Sequence, residues 1–143
     1  MFVSDILLHK GDRVVSVSPD DTLSKAIAEL SARRIGAVLV LASDGDIVGI
    51  LSERDVVHAL ARRGTSALAL AVADVMTRAV VTCDPDATIE HVMTLMTNGR
   101  FRHLPVVVRG RLAGMVSIGD VVRLRLEEQR NEAEALRHYI AAA

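Results

Sequence analysis

Apolar residues along this chain recur in two alternating spacings. Val14, Val15 and Val17 form a short β-branched run ahead of Pro19, a strand signal over 14–17. Leu23, Ala26, Ile27 and Leu30 then follow the i, i+3, i+4, i+7 spacing of a helix with one buried face. Two apolar runs come next, AVLVLA (37–42) and IVGIL (47–51), separated by Ser43-Asp44-Gly45-Asp46. Small polar residues and a glycine between apolar runs predict a hairpin, because glycine takes positive φ at no steric cost. A second helix is predicted over 53–62, so the unit reads β-α-β-β-α.

The same order returns further along. VVSVSPDDTL (14–23) matches VVTCDPDATI (80–89) at an offset of 66. Past Asp44, which has no counterpart, the offset falls to 65, and GDIVGILSERDVV (45–57) lies on GRLAGMVSIGDVV (110–122). Of the 43 paired positions 13 are identical, and many others exchange one apolar residue for another, so the chain is a tandem duplication. The second copy repeats the helical spacing at Ile89, Val92, Met93 and Met96. Its hairpin strands are 104–108 and 112–116 around Arg109-Gly110-Arg111, and its last helix starts at 118. Even the lead-ins VSDIL (3–7) and VADVM (72–76) correspond.

A unit of about 55 residues buries too little surface to be comfortable alone. The expected architecture is therefore α/β (α+β), two repeats packing their sheets about a pseudo-twofold axis. By sequence the first repeat spans 1–62, a linker 63–73, the second repeat 74–126 and a helical tail 127–143. The Ala-rich stretch 62–79 reads as part loop and part short helix, with Gly64 ending the helix before it. In the tail, Leu126, Leu136, Tyr139 and Ile140 are candidates for packing on the body or on a second subunit.

Composition narrows the function classes. Hydrophobic residues make up 50% of the chain, enough for a core, but aromatics only 2%, which argues against base-stacking platforms. Seventeen basic and 18 acidic residues leave a net charge of -1, so no general polyanion-binding face is expected. Arg123, Arg125, Arg130 and Arg137 alternate with Glu127, Glu128, Glu132 and Glu134, which disfavours nucleic acid there too. The single Cys83 excludes an intrachain disulfide and reads as a small buried residue rather than a redox sensor. With no signal-peptide pattern and no apolar run of about 18 residues, a cytoplasmic protein without a membrane span is expected. The five histidines show no metal-ligand spacing, and neither a phosphate-cradling glycine loop nor a nucleophile–base pair stands out. A non-enzyme without metal or catalytic cofactor is the expectation.

What remains is Ser-x-x-Asp-Val-Val, written at 52–57 and again at 117–122. At a strand-to-helix turn this is a capping box: the Ser hydroxyl accepts from the first free helical N–H groups and the Asp reaches back. The same geometry suits a ligand. A carboxylate can accept from both hydroxyls of a ribose, and a helix N-terminus suits a phosphate. The residues by themselves leave both readings open.

VVSVSPDDTL…RRIGAVLV…GDIVGILSERDVV, followed by VVTCDPDATI…RFRHLPVVV…GRLAGMVSIGDVV, resembles a tandem pair of CBS domains, the family named for cystathionine β-synthase. The resemblance covers about residues 1–126. It implies a stand-alone Bateman module, a regulatory, signal-transducing homodimer that binds adenosine-containing nucleotides between its repeats and acts on an unknown protein target. It carries the ribose role onto Asp55 and Asp120, with Ser52 and Ser117 on ribose or phosphate. By the pseudo-symmetry, Arg102 and His103 would complement Asp55, and Arg54 would complement Asp120, as phosphate-binding groups. His103 could make binding pH-sensitive. Lys10 would reach a phosphate in the first site or stand in solvent. Adenine is expected among Val15, Ser16, Ile35, Val81, Thr82, Leu104 and Pro105, whose apolar members could equally be core.

Gly36 and Ala37 stand where the second repeat has Arg102 and His103, so the two sites are not charge-symmetric. AMP, ADP and ATP are the first ligand candidates, with NAD(H) an alternative. S-adenosylmethionine is less favoured, because arginines and a histidine suit phosphate rather than a sulfonium. An interaction scaffold with vestigial sites is the rival from another class.

Overall fold

The apolar stripes and paired runs condense into two hydrophobic cores, one per repeat. The computed structural model describes residues 1–142. In chain order the elements are α1 (Val3–Lys10), β1 (Ser16–Val17), α2 (Leu23–Arg33), β2 (Ala37–Leu41), β3 (Ile47–Ser52), α3 (Glu53–Arg63), a 3-10 segment (Gly64–Ala69), α4 (Val72–Val75), α5 (Ile89–Gly99), β4 (His103–Val108), β5 (Arg111–Ser117) and α6 (Ile118–Ala142). Residues 13–81 form one compact unit, here the middle unit; residues 1–12 and those from Thr82 on form the other, the outer unit.

In the middle unit β1 pairs parallel with β2, and β2 antiparallel with β3. The helical stripe Leu23, Ala26 and Leu30 closes on Val38, Val40 and Leu51, with Ala67, Val72 and Met76 completing the core. In the outer unit β4 and β5 form the hairpin. Ile89, Val92 and Met96 of α5 close on Leu104, Val106 and Val116, with Val3 and Ile6 of α1 and Val121 and Leu124 of α6.

The duplication is visible in backbone detail. Thr22 and Thr88 cap α2 and α5, accepting from the amides of Lys25 (3.2 Å) and His91 (3.1 Å). Arg34 and Arg100 end those helices in the left-handed region, at φ 52° and 55°. Both hairpins shift register at matching points, between Val40 and Leu41 and between Val106 and Val107. The one-residue change of offset falls in the hairpin turns. Ser43-Asp44-Gly45 places only Gly45 at positive φ, whereas Arg109-Gly110 is a two-residue turn with both residues positive. That is the choice between a three-residue loop and a type I′ turn.

The first strand of each copy is shorter than its apolar run. Only Ser16 and Val17 join the ladder in the first copy, and in the second a single bridge from Cys83 to Val106 remains. Hydrophobicity alone over 14–15 and 80–81 does not supply a paired neighbour, so Val15 contributes one acceptor, to Leu39 N at 3.3 Å. The tail continues α6 without a break at 126/127, and its four apolar candidates are exposed in the chain. Ala143 lies outside the described residues.

The lead-ins dock where linear reading does not put them. Leu70, Val72 and Ala73 bond the first repeat: Leu23 N donates to Leu70 O (2.8 Å), Val72 N to Asp21 O (2.8 Å) and Ala73 N to Pro19 O (3.0 Å). Met1, Val3 and Ser4 make the matching bonds to the second repeat: Ile89 N to Met1 O (3.3 Å), Val3 N to Ala87 O (2.9 Å) and Ser4 N to Pro85 O (3.0 Å). The compact units therefore cut across the linear division into 1–62, 63–73, 74–126 and 127–143.

Glycine makes room for each docked lead-in. A Cβ on Gly49 would stand 2.5 Å from Met76 Sδ and 3.0 Å from Thr77 O, and one on Gly114 would stand 2.7 Å from Leu7 Cδ2. Gly49→Ala is expected to destabilise by about 1–3 kcal/mol, because backbone as well as side chain must move. Gly114→Ala, which meets only a flexible leucine end, is expected to cost less. Urea melts of the two variants check the order.

Candidate functional site

Both Ser-x-x-Asp sequences fold as capping boxes. Each follows a hairpin strand that ends in Ser, and each turns at once into a helix. Asp55 Oδ2 accepts from Ser52 N (2.9 Å) and from its hydroxyl (3.1 Å), while Ser52 Oγ lies 3.3 Å from Asp55 N. Asp120 Oδ2 accepts from Ser117 N (2.9 Å), and Ser117 Oγ accepts from Asp120 N (3.2 Å). The neighbouring strand start is tied to the same turn in both units, by Glu53 N to Gly36 O (3.0 Å) and Ile118 N to Arg102 O (2.8 Å).

The two carboxylates differ in what else holds them. Asp55 Oδ1 accepts from the Thr77 hydroxyl (3.0 Å), which the exchange of backbone bonds between Thr77 and Ile50 holds in place. Asp120 Oδ2 also takes the Lys10 ammonium at 2.8 Å, and Arg123 stands 3.7 Å from Oδ1. The cause is the length of the docked lead-in. After Val75 the chain leaves the helix and runs extended to Thr77, whereas α1 continues to Lys10. Lys10, itself exposed, pairs with the second carboxylate within its own unit. Nothing in the sequence pairing marked Thr77, whose counterpart past the lead-in is not a hydroxyl residue.

Burial works against the Asp120 charge, but the Lys10 ammonium and the Ser117 amide and hydroxyl outweigh it and hold the carboxyl below its ordinary range. Within the outer unit Arg102 is exposed and His103, half-buried, stands across the ladder from Ser117. In the middle unit the equivalent places are Gly36 and Ala37, with exposed Arg54 in the first turn of α3. Lys10 and Arg123 thus stand beside Asp120 in one unit, and the Thr77 hydroxyl stands beside Asp55 in the other.

The adenine candidates separate by accessibility. Ser16, Val81 and Thr82 are exposed, and Val15 and Ile35 half-buried. Leu104 is fully buried in the outer core, so its side chain is not offered to a ligand. Pro105 is buried as well, and its carbonyl accepts from Cys83 N at 2.9 Å. Leu104 turns inward to meet Ile89, Val92 and Met96 of α5. Val14, Val15, Ser16 and Val17 line an open groove of about 550 Å³ along β1 and α2, walled by the ion pairs Asp21–Lys25 and Glu29–Arg33.

A family model described as the CBS domain matches residues 3–62 and again 72–127. The chain belongs to the CBS-domain family. CBS pairs are regulatory modules. A crystal structure of a CBS-domain containing protein from Agrobacterium tumefaciens is 48% identical, with a TM-score of 0.85, covering 87% of this chain and 92% of that one. The CBS domain pair of protein MJ0100, solved with 5′-methylthioadenosine and S-adenosyl-L-methionine, is 26% identical with a TM-score of 0.79, covering 90% and 98%. A CBS domain protein from Pyrobaculum aerophilum, complexed with AMP, is 27% identical with a TM-score of 0.73, covering 84% and 89%. No helix of the described residues is long and apolar enough to cross a membrane.

Two measurements check this CBS site's electrostatics. A carboxyl whose pKa is depressed on folding contributes stability at neutral pH and loses it as pH falls through the folded value. Lys10→Met is therefore expected to cost about 0.5–1 kcal/mol at pH 7, a partly exposed pair, and the gap to wild type should close below about pH 4. Thermal melts across pH read both. Cys83 is 9% exposed, and burial first and Asp84 second push its thiol up to about 11. It is expected to resist a thiol reagent in the native protein and to react once the chain is unfolded in urea.

Proposed function

We propose that this CBS pair is a non-catalytic sensor of adenosine-containing nucleotides, AMP, ADP or ATP, with Asp55 and Asp120 accepting from ribose hydroxyls. The observation that carries the reading is the placement of both carboxylates at helix N-termini, each with one oxygen spent on a cap and the other lightly held. Free helical N–H groups beside them suit a phosphate. Ser52 and Ser117 keep the caps and stand next to the ligand, and Arg54, Arg102 and His103 supply phosphate donors. The relatives solved with AMP and with S-adenosyl-L-methionine support an adenosine-bearing ligand.

The Asp55 site fills first. A diol arriving there has only to turn the Thr77 hydroxyl aside, whereas at Asp120 it competes with an ammonium. Regulation follows if the ligand binds one arrangement of the protein better than another, which a homodimer or a target protein then reads. NAD(H) is the second reading, favoured by the exposed donors Arg54 and Arg102, which suit a longer phosphate arm. A cytoplasmic setting fits the single, buried thiol.

Thermal unfolding with AMP, ADP, ATP, NAD+, NADH and S-adenosylmethionine tests the proposal on wild type, Asp55→Asn and Asp120→Asn. Asparagine keeps an acceptor for the cap but loses the charge and the second acceptor. A nucleotide at 100 times its Kd should add about 2.7 kcal/mol. We expect Asp55→Asn to remove most of that shift and Asp120→Asn little. A response to S-adenosylmethionine alone would change the ligand class. Silence toward every compound, with variants that simply melt earlier, would leave the caps as the whole role of Ser-x-x-Asp and favour a scaffold.

A further inference from the structure

The Asp120 carboxylate already has a cation in the place that a ligand would need. Lys10 Nζ lies 2.8 Å from Oδ2, which also accepts from the Ser117 amide at 2.9 Å. Those two donors fill the two lone pairs of that oxygen. Arg123 approaches the other oxygen only to 3.7 Å, and its side chain is mostly in solvent. A ribose offers two adjacent hydroxyls, so the ammonium must move before the diol can use both oxygens. The Asp120 side chain is 11% exposed and that of Lys10 40%, which makes Lys10 the partner able to leave. It is the last residue of α1, and Val3 and Ile6 hold that helix in the outer core. Its flexible stem can therefore swing while its backbone stays.

We infer that Lys10 sets the ligand selectivity of the Asp120 site: it favours a nucleoside that carries a phosphate, which can receive the displaced ammonium, and disfavours one that does not. The inference rests on the sensor reading and names the chemistry that its second site accepts. A neutral diol that displaces Lys10 exchanges a charge-assisted hydrogen bond for ordinary ones. It also leaves a half-buried carboxylate without its cation, and a charge taken out of water is costly once its partner is gone. Burial alone works against the Asp120 charge, and Lys10 is the first group to offset it. A phosphate changes the outcome. The ammonium turns from the carboxylate to the phosphate oxygens, keeps a charge-assisted bond and stays beside the site. One side chain thus supplies both the repulsive element against a neutral ligand and the attractive one for an anion. At Asp55 the lead-in delivers the neutral Thr77 hydroxyl instead, so the device is a property of the second repeat's site.

Calorimetric titration of the full chain with AMP and with adenosine, which differ only in the phosphate, tests it. Asp55→Asn serves as the background, so that the second site is read. Adding Lys10→Met is expected to strengthen adenosine and weaken AMP, so that the ratio of the two affinities falls by about tenfold or more, the worth of one charge-assisted hydrogen bond. Lys10→Arg should keep the preference for AMP. A lysine with a merely structural role would move both affinities together and leave their ratio alone. An unchanged ratio, or adenosine bound no more tightly once the ammonium is gone, overturns the inference and leaves the sensor reading intact. So does AMP binding by the wild type with none by Asp55→Asn, whether or not Lys10 is present. Silence of the wild type toward both compounds overturns the inference together with the reading on which it rests.

Discussion

Everything in this chain rests on the exchange of lead-in segments. Three backbone hydrogen bonds bring residues 70–73 onto the first repeat and three equivalent bonds bring residues 1–4 onto the second. Val72 and Val3, each fully buried, fill the gap that a β-α-β-β-α unit leaves open at the end of its helix. Neither repeat closes its core with the residues that precede it in sequence. The glycines at 49 and 114 exist for the same reason, since the docked Met76 and Leu7 lie where a side chain would otherwise be.

The exchange also fixes how the two carboxylates differ. Their caps are alike to within a few tenths of an ångström, because Ser-x-x-Asp dictates a local turn. What else reaches the two carboxylates is decided by where each lead-in ends. A four-residue helix that runs on as extended chain delivers a hydroxyl to Asp55, and an eight-residue helix delivers an ammonium to Asp120. A duplicated motif has thus acquired two electrostatic characters without any change in the motif itself.

The sequence was a good guide where structure is local. The hairpins, the helical stripes of α2 and α5, the helix that follows each Ser and the one-residue slip at Asp44 all follow from short-range chemistry. It was a poor guide where partners are distant. The run 14–17 reads as a strand by composition, but only residues with a paired neighbour join the ladder. Leu104 looks like a pocket residue beside Arg102 and His103, yet its side chain lies in the core against α5. Lys10 lies 110 residues from Asp120, and no spacing rule links a helix end to a cap so far away. The role given to the carboxylates themselves came from the resemblance to CBS pairs, not from geometry.

The middle unit is one uninterrupted stretch, while the outer unit is assembled from two pieces on either side of it. That sets an order of events during synthesis, since domains fold as units when their residues have emerged. Residues 13–81 hold every part of their own core and can close as soon as they clear the ribosome. Residues 1–12 are made before that unit, with Val3 and Ile6 apolar and without a place to go, and must wait until Ile89, Val116 and Val121 have been made. A segment made before the middle unit therefore finds its seat only after that unit has been made.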